Sequence, residues 1–153
     1  MNALDYMRLA LAEAEKALAE GDVPIGAVVV WNDTVVGAGF NRREADHDAT
    51  AHAEIVAIRQ ASERLGRWRL DDCALYVTLE PCPMCAGAIV LARIPRVIYA
   101  APDPKAGAAG SIVDLLRHPR LNHRVDVQGG LLADEAAAQL RAFFQTLRDE
   151  GQG

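Results

Sequence analysis

Three side chains of metal-binding type and one carboxylate carry the most specific chemistry in this sequence. In Pro81-Cys82-Pro83-Met84-Cys85 two thiols stand three residues apart. A helix beginning at Pro81 would project both from one face of its first turn, close enough to share a metal. The free N–H groups and positive dipole end of such a helix favour thiolate, the form that binds zinc. In Thr50-Ala51-His52-Ala53-Glu54, His52 offers a third ligand, and Glu54 can face the same pocket without binding the ion. Three protein ligands leave one tetrahedral position for water, whose pKa zinc lowers to about 7. Hydroxide is then available at neutral pH, with Glu54 taking the proton and handing it on.

Other readings use the same residues. A Cys-x-x-Cys pair also serves as a redox dithiol or as half of a structural zinc site. Cys73 could complete a closed Cys3His site with His52, making the chain a zinc-stabilised binding module without catalysis. A closed site has no use for Glu54, however, and Cys73 stands at the mouth of an apolar strand, where a buried thiol is the simpler account. The ordered pair, His-x-Glu followed by Pro-Cys-x-x-Cys, is far more specific than either half.

The elements that must position these residues follow from periodicity. Leu4, Met7, Leu11, Ala14 and Leu18 describe one apolar face of a helix from about Asn2 to Glu20, ended by Gly21. The Val-rich runs Ile25–Trp31 and Thr34–Phe40, separated by Asn32-Asp33, read as a β-hairpin. Asn41 follows directly, where it can face a pocket or merely cap a turn. A polar loop, Arg42–Asp48, leads to a second helix with Thr50 as its expected N-cap and His52 in its first turn. The apolar run Cys73–Leu79 reads as a strand buried on both faces. A third helix opens at Glu80-Pro81, and its body from Ala86 to Ala92 has a small-residue side that something packs against, the sheet or a second subunit. A strand over Arg96–Ala101 completes a parallel strand-helix-strand unit. The loop Pro102–Ser111, poor in large side chains, can approach a ligand closely or serve as a connector. A helical turn near Ile112–Leu116, a strand near Val125–Val127 and a helix from about Asp134 to Arg148 close the chain. The alternation predicts an α/β fold, a three-layer α-β-α sandwich around a central mixed sheet, as one domain over residues 1–153. Both halves of the metal site then fall at helix starts, where open α/β sheets place a ligand crevice.

Composition sets the class. With 51% hydrophobic and 24% charged residues in 153, the chain reads as soluble and globular, long enough for a sizeable core. Charges interrupt any apolar run at the N-terminus, so neither a targeting segment nor a membrane span is expected. Three cysteines, two with a metal-like use, fit a reducing cytoplasm. The net charge of −5 is unevenly spread: residues 1–22 carry two basic and five acidic side chains, residues 133–153 two and four, and the stretch between them twelve of each. The deficit therefore lies in the terminal helices and does not exclude a nucleic-acid partner. Within the neutral middle, Arg117-His118-Pro119-Arg120-Leu121-Asn122-His123-Arg124 is a locally basic run that could meet phosphates or be a solvated loop.

Taken together, the two metal motifs resemble the known signature of zinc-dependent nucleobase deaminases, members of the cytidine-deaminase-like superfamily. Within that superfamily the chain is similar to the bacterial tRNA adenosine deaminases over nearly its whole length. Matching stretches include Val23-Pro24-Ile25-Gly26-Ala27-Val28, Asn41-Arg42, His47 to Ile55, Leu75 to Cys82, Met84 to Ala88, and Phe143-Phe144. Gly107-Ala108-Ala109-Gly110-Ser111 and Asn122-His123-Arg124-Val125 point to the tRNA branch. The resemblance implies one zinc ion per subunit on His52, Cys82 and Cys85, with Glu54 as general acid and base. It also implies that Asn41 contacts the target nucleoside, that Asp103 and Lys105 lie in a loop bordering the anticodon, and that the protein is a homodimer. The expected reaction is hydrolytic deamination of adenosine to inosine at the wobble position, with a tRNA anticodon stem-loop as partner. The alternative within the same fold is a deaminase of a free base or nucleoside, guanine or a cytosine compound. Two departures stand out: Ala49 replaces a proline common in relatives, and Gln145–Glu150 is nearly neutral where relatives often carry a basic tail.

Overall fold

The computed structural model describes residues 1–152. Its elements run α1 (Ala3–Ala19), β1 (Gly26–Trp31), β2 (Thr34–Phe40), α2 (Arg43–Asp46), α3 (Ala53–Leu65), β3 (Cys73–Leu79), α4 (Pro83–Leu91), β4 (Arg96–Ala101), β5 (Asp126–Gly129) and α5 (Ala133–Gln152). The five strands form one mixed sheet in the order β2-β1-β3-β4-β5. β1 runs antiparallel to β2 and β3, whereas β3, β4 and β5 are parallel, with α4 joining β3 to β4.

Alternation along the central strands separates two apolar layers. Ala27, Val29, Leu75, Val77 and Val97 point to the face covered by α3 and α4, and Val28, Val30, Tyr76, Ile98 and Ala100 to the face covered by α1 and α5. Every one of these side chains is buried, which is why the strands read as continuous apolar runs. The three-layer expectation therefore holds.

Local chemistry explains the boundaries. Asn2 caps α1 by accepting the Asp5 N–H while Asp5 accepts the Asn2 N–H, a capping box. Asn32 and Asp33 both take positive φ, 48° and 57°, the backbone that a two-residue hairpin turn requires. On the other face α3 lies close against β2 because Ala53, Ala57 and Ala61 meet Gly37 and Gly39. A Cβ on either glycine would overlap the α3 backbone, so Gly37→Ala forces the helix off the sheet at a cost of about 1–3 kcal/mol.

Four sequence expectations shift. The helix carrying the first motif begins at Ala53 with His52 as its N-cap; Thr50 instead turns its hydroxyl and N–H onto Asp48, at 2.7 and 2.8 Å. The helix of the second motif begins at Pro83, not Pro81, so Cys82 is its N-cap and Cys85 its third residue. The stretch Ile112–Leu116 is a turn pinned by a bridge between Ala109 and Asp114, not a helical turn, and the expected loop Arg42–Asp48 contains the four-residue α2.

Candidate metal and catalytic site

The starts of α3 and α4 meet beyond the carboxyl ends of β2 and β3, bringing His52, Cys82 and Cys85 together. The His52 Nδ1 lies 3.6 Å from each Sγ, and the three ligand atoms fall within 4.8 Å of one another. A tetrahedral ion with Zn–N of about 2.1 Å and Zn–S of about 2.3 Å requires an N···S edge of about 3.6 Å, so the donor set fits zinc in kind and in spacing. A hydrogen bond from the Cys85 thiol, with another from His52, pulls the Cys82 thiol down to about 4, while the same contact holds the proton on Cys85 and raises it. Cys82 is thus the cysteine that gives up its proton most readily, and it faces its two co-ligands. Its hydrogen bond also raises the His52 imidazole.

Glu54 sits in the first turn of α3, only 3% exposed. Burial pushes its carboxyl up to about 7, placing it where it can both take and give a proton at neutral pH. Asn41, 2% exposed, performs the cap that His52 does not: its Oδ1 accepts the Ala53 N–H at 2.9 Å. Its Nδ2 makes no hydrogen bond among the described residues, and the residue lines a cavity of about 380 Å³. His52, Asp103 and Lys105 line the same cavity.

Cys73 is excluded from the cluster. It opens β3, opposite Trp31, whereas the cluster lies past the strand's other end, about 20 Å away at the usual rise per residue. Among the described residues, three ligands and no fourth come together. Burial pushes the Cys73 thiol up to about 12, an inert core side chain. The closed Cys3His reading therefore falls.

A family model described as MafB19-like deaminase matches residues 1–148. The chain belongs to that deaminase family. Over 143 residues it is 48% identical to a Bacillus subtilis (strain 168) protein named tRNA-specific adenosine deaminase, a match covering 94% of this chain and 89% of the relative. A solved structure from studies of A-to-I editing by tRNA:A34 deaminases at the wobble position of transfer RNA superimposes with a TM-score of 0.86 at 49% identity, covering 89% of this deaminase and 99% of the other chain. A guanine deaminase from Nitrosomonas europaea superimposes with a TM-score of 0.80 at 25% identity, over 93% and 84% of the two chains.

The structure adds residues that the motifs do not name. Leu140 and Phe144 of α5 close one side of the cavity, and Arg43, paired with the buried Asp22 at 3.4 Å, reaches its rim. A groove continues outward between Lys105 and α5, lined by Arg141, Phe144, Leu147 and Arg148. The spacing of Leu140, Phe144 and Leu147 on a helix was the available signal, since Phe144 and Leu147 stay 45% and 47% exposed and so are not core. Glu80 is the other omission. It is 2% exposed, and its carboxylate accepts the N–H groups of Asp103, Ala109 and Ser111 together with the Ser111 hydroxyl. Burial works against the charge on Glu80, but those donors hold it below the usual carboxylate range.

Proposed function

We infer that this deaminase hydrolyses adenosine to inosine at the wobble position of a tRNA anticodon, with one zinc ion on His52, Cys82 and Cys85. The observation that carries the reading is the three-ligand cluster beside buried Glu54, opening on a cavity whose outer edge runs into a groove bearing Lys105, Arg141 and Arg148. Relatives at 48% and 49% identity, named for tRNA-specific adenosine deamination and A34 editing, support the same substrate.

Zinc, when held by these ligands, supplies the polarisation that makes water nucleophilic at neutral pH. The chain supplies the rest. Water adds to C6 of the base; Glu54 takes one of its protons and delivers it to N1, then carries the proton of the new C6 hydroxyl to the amine as the C6–N6 bond breaks, so that adenosine and water become inosine and ammonia. Asn41 keeps its Oδ1 on α3 and presents its Nδ2 donor to the base. Val23, Ile25, Leu79 and Leu140 give the base apolar walls, and the exposed Phe144 ring offers a stacking surface for a base of the single-stranded loop. Lys105 and Arg141 have no ion-pair partner among the described residues, which leaves them for phosphates.

A free-base deaminase is the nearest rival, represented by the guanine deaminase at 25% identity. The cationic groove disfavours it, since a neutral base small enough for the cavity has no use for it. Trp68 and Leu91, 63% and 71% exposed, line a shallow apolar groove with Ile58, Ala88 and Ala92 on the outer side of α3 and α4, and we assign this surface to a second copy of the chain, giving a homodimer. The full span, 1–153, acts as one catalytic unit in the cytoplasm, where its tRNA substrate resides; no helix among the described residues is long and apolar enough to cross a membrane.

The test is to incubate zinc-loaded protein with unmodified tRNA carrying adenosine at the wobble position and to quantify inosine by nuclease digestion and mass spectrometry. Stoichiometric inosine confined to that position is expected. Its absence, from protein shown to hold zinc, would overturn the tRNA reading and leave a free-base deaminase.

A further inference from the structure

We propose that Glu80 is a positioning residue that ties the metal-ligand turn to the loop over residues 103–111 and so sets where Asp103 and Lys105 stand against the substrate. The kinetic part of this proposal rests on the tRNA-editing reading above.

The contacts all run one way. Glu80 lies two residues before Cys82, and its own N–H is fixed on the Ala101 carbonyl at 2.8 Å. Its Oε1 accepts the Asp103 N–H at 3.0 Å and the Ser111 hydroxyl; its Oε2 accepts the Ala109 N–H at 2.9 Å and the Ser111 N–H at 3.1 Å. All four donors belong to this one loop, and they include its first and last residues. One side chain therefore closes the loop on itself, and no other acceptor among the described residues takes those three N–H groups.

Fixing Asp103 has a second effect. Its Oδ1 accepts the Lys105 and Ala106 N–H groups, at 3.0 and 3.2 Å, so the backbone of Lys105 is held through Asp103 by Glu80. Both residues line the cavity. Gly107 completes the device: a Cβ there would collide with the Glu80 carboxylate, so only glycine lets the loop close this far. The neighbouring Ala108 N–H meets the Pro81 carbonyl at 2.8 Å, which seats the loop directly on the turn that carries Cys82. A charged acceptor suits this place, because charge-assisted bonds outweigh those a neutral amide could make to four converging donors.

Glu80→Gln keeps the shape of the side chain but turns an acceptor into a donor, and Ser111→Ala removes one donor alone. The two variants and the zinc-loaded wild type are compared by zinc content, backbone amide exchange and steady-state kinetics on an anticodon stem-loop. Glu80→Gln should hold zinc as the wild type does, exchange the amides of residues 103–111 at least about tenfold faster, and raise KM about tenfold with kcat changed by less than about threefold. Ser111→Ala should move both readouts in the same direction by a smaller factor, and it carries the test if Glu80→Gln fails to fold. Unchanged exchange in that loop with zinc retained would overturn the proposal. So would faster exchange with an unchanged KM, or a fall confined to kcat. A wild type that makes no inosine would remove the substrate reading, while the exchange measurement would still decide whether Glu80 orders the loop.

Discussion

The two ends of strands β3 and β4 draw their cations from different distances along the chain. At the amino end the basic run folds against Ile94 and Pro95, where His123 Nε2 meets the Ile94 carbonyl and the Asp126 N–H the Pro95 carbonyl. Two of its arginines are occupied by nearby chain: Arg117 reaches back to Asp114 at 2.8 Å and to the Ala109 carbonyl at 2.9 Å, and Arg124 bonds the Pro119 carbonyl at 2.8 Å. At the carboxyl end Lys105, Arg141 and Arg148 come from distant parts of the chain and converge on one groove beside the catalytic cavity. Density of charge along the chain thus misleads about where an anionic partner docks. Cations left without carboxylate partners next to the reacting groups are the better guide.

The largest effects should come from the carboxyl end. Removing zinc with a chelator should abolish deamination and open the half-buried Cys82 to alkylation while Cys73 and Cys85, both buried, stay unmodified, as mass mapping of the labelled cysteines will show. Labelling of Cys73 in the same sample would contradict its burial in the core. Glu54→Gln should lower kcat by about 10³-fold with zinc content unchanged; equal turnover would sink the proton-transfer role. Asn41→Ala should act twice, losing about 1 kcal/mol of stability with the α3 cap and about tenfold or more in kcat/KM with the donor to the base, read by denaturant melts and kinetics side by side. A stability loss with intact kinetics would reduce Asn41 to a cap.

Smaller effects separate the two cationic regions. Alanine at Lys105, Arg141 or Arg148 should each weaken stem-loop binding and flatten the slope of log affinity against log salt by about 0.7. Arg120→Ala, in the basic run at the other end of the strands, should leave affinity within about twofold and the slope unchanged. A flatter slope for Arg120→Ala than for Arg141→Ala would invert the comparison and move the RNA to the opposite end of the sheet.

Much of this is legible in the chain where the cause is local. The hairpin follows from Asn32-Asp33 between two Val-rich runs, and the four chemical residues from the spacing of two short motifs. What failed was local too, but finer: Thr50 is a good capping residue in isolation, yet Asp48 captures its hydroxyl and Asn41, brought in from the end of β2, takes over the helix start. The start of α3 therefore moved by about two residues; that of α4 moved by two as well, and His52, Cys82 and Cys85 still met. A ligand just ahead of a helix and one in its first turn reach nearly the same space.

The sequence by itself determined the reaction chemistry, because a metal ligand, a thiolate-stabilising helix start and a nearby carboxylate each depend on neighbours within a few residues. Tertiary structure decided the substrate side. The wall and groove are assembled from Asn41, Lys105, Leu140, Arg141 and Phe144, and the acceptor that holds the loop is Glu80, more than twenty residues from the amides it binds. No periodicity along a chain records such a pairing, since packing of the sheet alone brings those segments within hydrogen-bonding distance.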